Sequence, residues 1–392
     1  MHNIVYLNPF SIFDYTSGSS KSISLILDGF KNLGCNVHCL CSCVSYSRAG
    51  YLNSLERFHQ SNNESGVRNF IFNGINCHLL KTSQWERTKI SLEEKDKFYK
   101  ESIALLKRKK FDLIISWGNL DLEESIFREA KKMGVKICFY LVNPSYLGKE
   151  FYLKNNANFA ITDSNSTKNL YKNFFKNKIF VLPKSSDNLS FENLVKKDNK
   201  ICLVINPSIN KGLEPLILLA KKLELERPDI SLWLIDGRNQ FYNDLKYLGV
   251  KKNEIPKNIT IFPACNDIYK LYKNIKLVLL LSLWHESGSR LFVESYTHGI
   301  PVLCFDTGGN IEFIKENKRD IFEYPETYED RNKKIRIKSW DSKKIYTRIC
   351  FLLDDEKYYK KYSNKLLSTN TYENKNNELK NALRKLIDNL KL

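Results

Sequence analysis

The chain alternates short apolar runs with longer stretches whose apolar positions recur at helical spacing, joined by polar loops. In the first half, runs at 4–7, 37–41, 69–73, 75–80, 112–116, 136–142, 158–162 and 179–182 predict strands. Periodic stretches at 23–33, 92–109 and 122–133 predict helices. Strand, loop, helix, strand is the opening unit of a doubly wound sheet. Two segments show no apolar period. Residues 45–66, ending Asn-Asn-Glu-Ser-Gly, read as a mobile loop, and the lysine-rich 184–200 reads as an inter-domain linker. The second half restarts the pattern, with strands predicted at 201–205, 232–236, 259–262, 277–281, 302–305 and 320–324. Helices are predicted at 213–223, 268–273, 291–297, 342–353 and 356–368, and a charged surface loop at 326–338. The tail, 373–392, carries Leu379, Leu383, Leu386, Ile387 and Leu390 at helical spacing.

A length of 392 residues exceeds one ordinary domain and predicts two, 1–185 and 200–372. Lysine and arginine exceed aspartate and glutamate by 62 − 44 = 18, which favours anionic partners: nucleotide sugars, anionic lipid, acidic glycans or nucleic acid. Aromatics do not interleave with the basic residues in a compact recognition motif, so nucleic acid is not expected. Ten cysteines show no repeating spacing. Cys39, Cys41 and Cys43 alternate along one predicted strand, share a face with no further ligand nearby, and read as buried thiols. No metal site is expected. No basic segment precedes an apolar run at the N-terminus, and no apolar run approaches the ~18 residues of a membrane span. The expectation is a cytoplasmic protein with reduced thiols, with peripheral contact to an anionic inner membrane face as a further possibility.

The densest chemistry lies in residues 282–309, Ser-Leu-Trp-His-Glu-Ser-Gly-Ser-Arg-Leu-Phe-Val-Glu and onward to Gly308-Gly309. Glu286 and Glu294 stand eight positions apart, Glu286 in the loop and Glu294 about two turns into the helix. Gly288 and Ser289 form a tight turn between them, followed by Arg290 and Leu291. Backbone amides that open a helix lack internal partners and attract anions, whereas carboxylates accept hydrogen bonds from hydroxyls. An anion that also carries hydroxyl groups, such as a sugar nucleotide, fits both.

This stretch resembles the E-x7-E signature of family 4 retaining glycosyltransferases of the GT-B fold. The resemblance implies two doubly wound Rossmann-like α/β domains facing across a cleft, the N-terminal one on the acceptor side and the C-terminal one holding the nucleotide-sugar donor. A C-terminal helix, 373–392, would pack back on the first domain. Glu294 would bind the donor ribose, Glu286 the hydroxyls of the transferred sugar, and the amides of Ser289, Arg290 and Leu291 the phosphates. Lys211-Gly212 matches the family's Lys-Gly after the first strand of this domain. Lys211 would then pair with the donor diphosphate as a point charge.

The chain also departs from that pattern. Asn206 and Pro207 stand near where members carry an arginine, leaving Arg290 and Arg238 as candidate replacements, and Asn143 ends the strand where many carry a histidine. Gly18 and Ser19, in the first strand–helix loop, would approach the phosphates or the acceptor. The implied reaction moves a sugar from a nucleotide-diphosphate donor to a glycan or lipid-linked acceptor with retained anomeric configuration. It needs no cofactor or metal, and surface-glycan or polysaccharide synthesis is the expected setting. The alternative is a catalytically silent GT-B protein that binds a nucleotide or a partner glycosyltransferase.

Overall fold

The structure, a computed structural model, describes residues 1–60, 66–117, 121–175, 178–186, 199–265, 268–314 and 317–390. It divides into two units, Met1–Ser185 with Lys375–Leu392, and Ser186–Asn374.

The first unit is built on strands β1 (Asn3–Leu7), β2 (Asn36–Ser42), β3 (Val67–Phe72), β4 (Ile75–Leu80), β5 (Leu113–Ser116), β6 (Lys136–Leu141), β7 (Phe159–Thr162) and β8 (Ile179–Val181). They form one sheet in the order β3-β4-β2-β1-β5-β6-β7-β8, parallel except for the β3–β4 hairpin. Asn73 and Gly74, both at positive φ, make the hairpin's two-residue turn. Period-2 alternation divides β2 between the two faces of the sheet. Cys39, Cys41 and Cys43 point to one side, with Ile23 and Leu27 of the helix Gly18–Lys31, while Leu40 points to the other. All three are fully buried in the core, and burial pushes the Cys43 thiol up to about 12, so that thiol packs rather than reacts. The terminal helix, Tyr372–Leu390, inserts Leu379, Leu383 and Leu386 into the same core as Ile23 and Leu27. The side chain of Leu390 lies outside the described residues.

The second unit repeats the plan with β9 (Ile201–Ile205), β10 (Ser231–Asp236), β11 (Ile259–Pro263), β12 (Leu277–Leu280), β13 (Val302–Phe305) and β14 (Ile321–Phe322). The order is β11-β10-β9-β12-β13-β14, so β9 and β12 flank the point where the winding reverses.

Three stretches differ from the sequence expectations. Residues 45–66 hold a helix, Arg48–His59, capped by the Ser47 hydroxyl; residues 61–65 lie outside the described residues. Its buried positions are Gly50, Ser54 and Phe58, two of them too small or polar to register as an apolar stripe. Residues 326–338 form a hairpin, β15 (Glu326–Glu329) and β16 (Ile335–Ser339), rather than a loop. A two-pronged Arg336–Glu214 ion pair ties it to the helix Leu213–Glu226, with both bonds at 3.0 Å. The linker cannot begin at Lys184, which is buried against Asp163 at 2.8 Å and the Ser22 hydroxyl at 3.3 Å. Residues 187–198 of that expected linker lie outside the described residues. The short helices Glu150–Asn156 and Phe241–Tyr247 were not anticipated. Among the described residues no helix is long and apolar enough to cross a membrane.

Candidate functional site

The second unit's carboxyl-end loops carry the site. Side chains at the ends of β9 and β12 converge because those strands are neighbours at the winding reversal, where open α/β sheets bind ligands. From the β9 end comes Asn206 at positive φ, then the turn Ile209–Lys211 and Gly212. From the β12 end come Ser282 and Glu286. A Cβ on Gly212 would lie 1.8 Å from the Leu281 carbonyl oxygen, so only glycine lets the two loops pass.

That approach brings Lys211 onto Glu286 as an ion pair, Nζ to Oε1, joining residues far apart in sequence. The same carboxylate oxygen accepts a hydrogen bond from the Ser282 hydroxyl at 2.9 Å. Glu286 is largely buried, with 13% of its side chain exposed, whereas Lys211 keeps 33%. The cation is therefore the more accessible member of the pair. Next to it, burial pulls the His285 imidazole below its ordinary value against the opposing pull of Glu286, which favours a neutral ring.

The loop after β13 holds the segment that carries Glu286. The Gly309 amide donates to the Glu286 carbonyl at 2.7 Å, and the Thr307 hydroxyl donates to the Trp284 carbonyl at 3.3 Å. Gly308, at φ +58, lies so near that a Cβ would sit 2.3 Å from the Glu286 carbonyl oxygen. Asn310 is fully buried, and its Oδ1 accepts from the Ser289 amide at 3.2 Å.

The helix following the turn is Arg290–Tyr296, with Ser289 as its cap. Glu294 therefore stands one turn into the helix, not two. Its Oε1 accepts from Arg290 Nε at 2.8 Å, an i,i+4 pair whose arginine is buried. Of the three amides expected to face phosphate, that of Ser289 goes to Asn310. That of Leu291 goes to the Ser289 hydroxyl at 3.3 Å. His298, at the far end of the helix, donates from Nδ1 to the Glu294 carbonyl at 2.6 Å and stacks on Tyr269, which makes it structural.

The other residues singled out from sequence are dispersed. Arg238 is half-buried in the loop after β10. Asn206 Oδ1 is buried with no partner among the described residues and would sit 2.8 Å from a Cβ on Gly237. Gly18, Ser19 and Asn143 belong to the first unit. Gly18 is exposed in the first turn of its helix, which the Ser17 hydroxyl caps, and Ser19 is half-buried. Asn143 caps a short turn, accepting from the Ser145 amide at 2.9 Å, while its carbonyl accepts from the Tyr171 hydroxyl at 2.6 Å. Sequence reasoning missed Ser282 and Asn310. Their only signals were a hydroxyl closing an apolar run and a polar residue directly after Gly-Gly. Among the described residues no group of three or more His, Cys, Asp or Glu side chains is placed to hold a metal ion.

Residues 185–366 match the family model described as "Glycosyl transferases group 1". Spore coat protein SA of Bacillus subtilis is 29% identical over 144 residues, 34% of this chain and 38% of that protein. The chain thus spans little more than a third of that curated relative. Anabaena HepE, solved in complex with UDP-glucose, superposes with a TM-score of 0.67 at 13% identity, covering 98% of this chain and 100% of that one. The lipopolysaccharide outer core galactosyltransferase WaaB superposes with a TM-score of 0.60 at 13% identity, covering 98% and 99%. At that identity the likeness carries the fold: the two doubly wound units are those of the GT-B fold.

Proposed function

We propose that this chain is a glycosyltransferase that moves a sugar from a nucleotide-diphosphate donor to an acceptor hydroxyl, with retention of anomeric configuration and with side chains rather than a metal neutralising the leaving group. The observation that carries this reading is the Lys211–Glu286 pair at the winding reversal of the second unit, with Glu286 four residues before the Arg290 of the Arg290–Glu294 pair. The bound UDP-glucose of HepE and the outer-core reaction of WaaB support a nucleotide-sugar donor and a surface-glycan acceptor.

The difficult part of such a transfer is charge building on the departing diphosphate, and a fixed cation there acts on the transition state. Lys211 is the candidate, because it is the accessible member of its pair and Glu286 with Ser282 hold it at the strand ends. A charge-assisted contact of this kind contributes ~1.5–3 kcal/mol, or roughly ten- to a hundredfold in rate. Glu286 orients the transferred sugar through its remaining acceptor sites. Glu294 takes the ribose hydroxyls. Arg290, buried on Glu294, fixes that carboxylate rather than replacing the arginine missing near Asn206. Arg238 is then the remaining candidate for that replacement.

The test is a thermal-shift screen of the pure protein against UDP, GDP, ADP and their sugars, paired with an assay for released nucleoside diphosphate. Wild type should be stabilised by one nucleotide and release it from the matching sugar. Glu294→Ala should lose most of the shift, and Lys211→Ala should slow release by roughly ten- to a hundredfold. Stabilisation without release would leave a silent nucleotide-binding protein. A folded wild type that no nucleotide stabilises would remove the reading.

A further inference from the structure

Away from the Lys211–Glu286 pair, the second unit carries a cavity of about 530 Å³ between the end of β14, the hairpin β15–β16 and the start of the helix Lys343–Asp354. Cavities of this size class take small organic ligands. Its apolar wall is aromatic. Trp340 is half-buried and stands perpendicular to Phe305 with ring centres 5.5 Å apart; Tyr324 meets the same Phe305 edge-on at 6.4 Å. The Tyr324 hydroxyl donates to the Leu283 carbonyl at 2.7 Å, so this wall is anchored to the loop that carries Glu286.

The rim is polar and carries three carboxylates, those of Glu323, Glu326 and Asp341. Each already has a partner close by. Glu326 takes Lys338 at 2.6 Å and the Ser339 hydroxyl at 2.9 Å, Asp341 takes the Lys343 amide at 2.8 Å, and Glu323 has Lys344 at 3.8 Å. Three carboxylates repel an anion even in a chain of net charge +18. Their neighbouring cations weaken the case for a cationic ligand. What they retain is acceptor capacity, since an ionised carboxylate offers about four lone-pair sites. Flat aromatic surface beside spare acceptors fits a neutral ring bearing hydroxyls.

We propose that this cavity is a second carbohydrate site, which takes a short neutral saccharide with a ring against Trp340 and its hydroxyls donating to the rim carboxylates. The site stands independently of the donor reading above, because none of Lys211, Glu286 or Glu294 lines it.

The experiment is saturation-transfer difference NMR on the full chain with the methyl glycosides of glucose, galactose, mannose and N-acetylglucosamine. At least one should show transfer. Trp340→Ala should weaken it about tenfold, the scale of one lost aromatic contact. Trp340 also packs on Phe305, so a second variant covers the case in which Trp340→Ala does not fold. Ser339→Trp starts from an exposed position on the rim and fills the cavity, and it should abolish transfer. Both variants should keep the wild-type thermal response to nucleotide. The inference is overturned if no glycoside shows transfer, or if transfer survives unchanged in the variants that fold. Glycoside binding without any nucleotide response would keep this site and remove the transferase reading; the converse would remove this site alone.

Discussion

At the scale of single residues, glycine does more to set the site than its charged groups do. Gly212 lies at φ +86 with the Leu281 carbonyl where a Cβ would be, and Gly308 sits over the Glu286 backbone. Replacing Gly212 by alanine combines a left-handed backbone penalty with a backbone clash that neither loop can relieve. Gly212→Ala should destabilise by at least about 2 kcal/mol and lose the nucleotide response, as read by urea unfolding and the thermal-shift assay. A conservative change elsewhere in the loop should do neither. A second residue-scale effect lies in the first unit, where the rings of His38 and His78 stack at 5.7 Å. Burial, then their mutual repulsion for His38, and nearby Arg108 and Lys109 pull both imidazoles down to about 4. Both are neutral in the fold but protonate near 6.5 once unfolded, so the unfolded chain binds more protons between those values. Stability should therefore fall as pH drops from about 6.5 towards about 4. His78→Gln should flatten that slope in melting temperature against pH. The paired glutamates were legible in the sequence because they share one motif. The ion pair Lys211–Glu286 was not, since pairing across the fold follows from strand order, and strand order is not written in local spacing.

Elements were legible where their apolar positions are large and regular. The strands β9, β12 and β13, buried on both faces, read as continuous apolar runs, and the helix Leu92–Arg108 shows its stripe plainly. The helix Arg48–His59 escaped because its inward face is Gly50, Ser54 and Phe58. A Cβ on Gly50 would fall 2.0 Å from Asp14 Oδ1, and Ser54 bonds the Ser11 hydroxyl at 2.7 Å. That face packs by close approach and hydrogen bonds, which hydrophobic periodicity does not count. The hairpin β15–β16 escaped for a related reason: charged residues dominate it, and its stability comes from Glu214 and from Ile335 and Ile337 half-buried against the core. The terminal helix shows the opposite case, where spacing alone marked the inward residues. Leu383 is fully buried, and its Cδ1 would lie 2.6 Å from a Cβ on Gly29. Leu383→Ala should cost ~2–5 kcal/mol, measured by denaturant unfolding, while leaving nucleotide binding per folded molecule unchanged.

At the scale of the whole molecule, the two units differ in how the chain makes them. The first takes both chain ends, Met1–Ser185 and Lys375–Leu392, so it cannot be completed until the last helix has been made. The second is one continuous stretch, Ser186–Asn374, with its own core, and every residue assigned to the donor, Lys211, Glu286, Arg290 and Glu294, lies inside it. A continuous unit of this size falls within the range of independently folding domains. Residues 186–374 expressed alone should therefore fold and keep the nucleotide-induced thermal shift, with affinity within about tenfold of the full chain. A chain ending at Asn374 should leave the first unit without Leu379, Leu383 and Leu386, and so expose the core around Ile23 and Leu27. It should melt in two steps, the lower one insensitive to nucleotide and the upper one raised by it, since a ligand stabilises only the unit that binds it. Calorimetry with and without nucleotide separates the outcomes. If the isolated stretch folds but does not respond while the full chain does, the donor contacts are shared with the first unit, and the pairs at the winding reversal are not sufficient for binding.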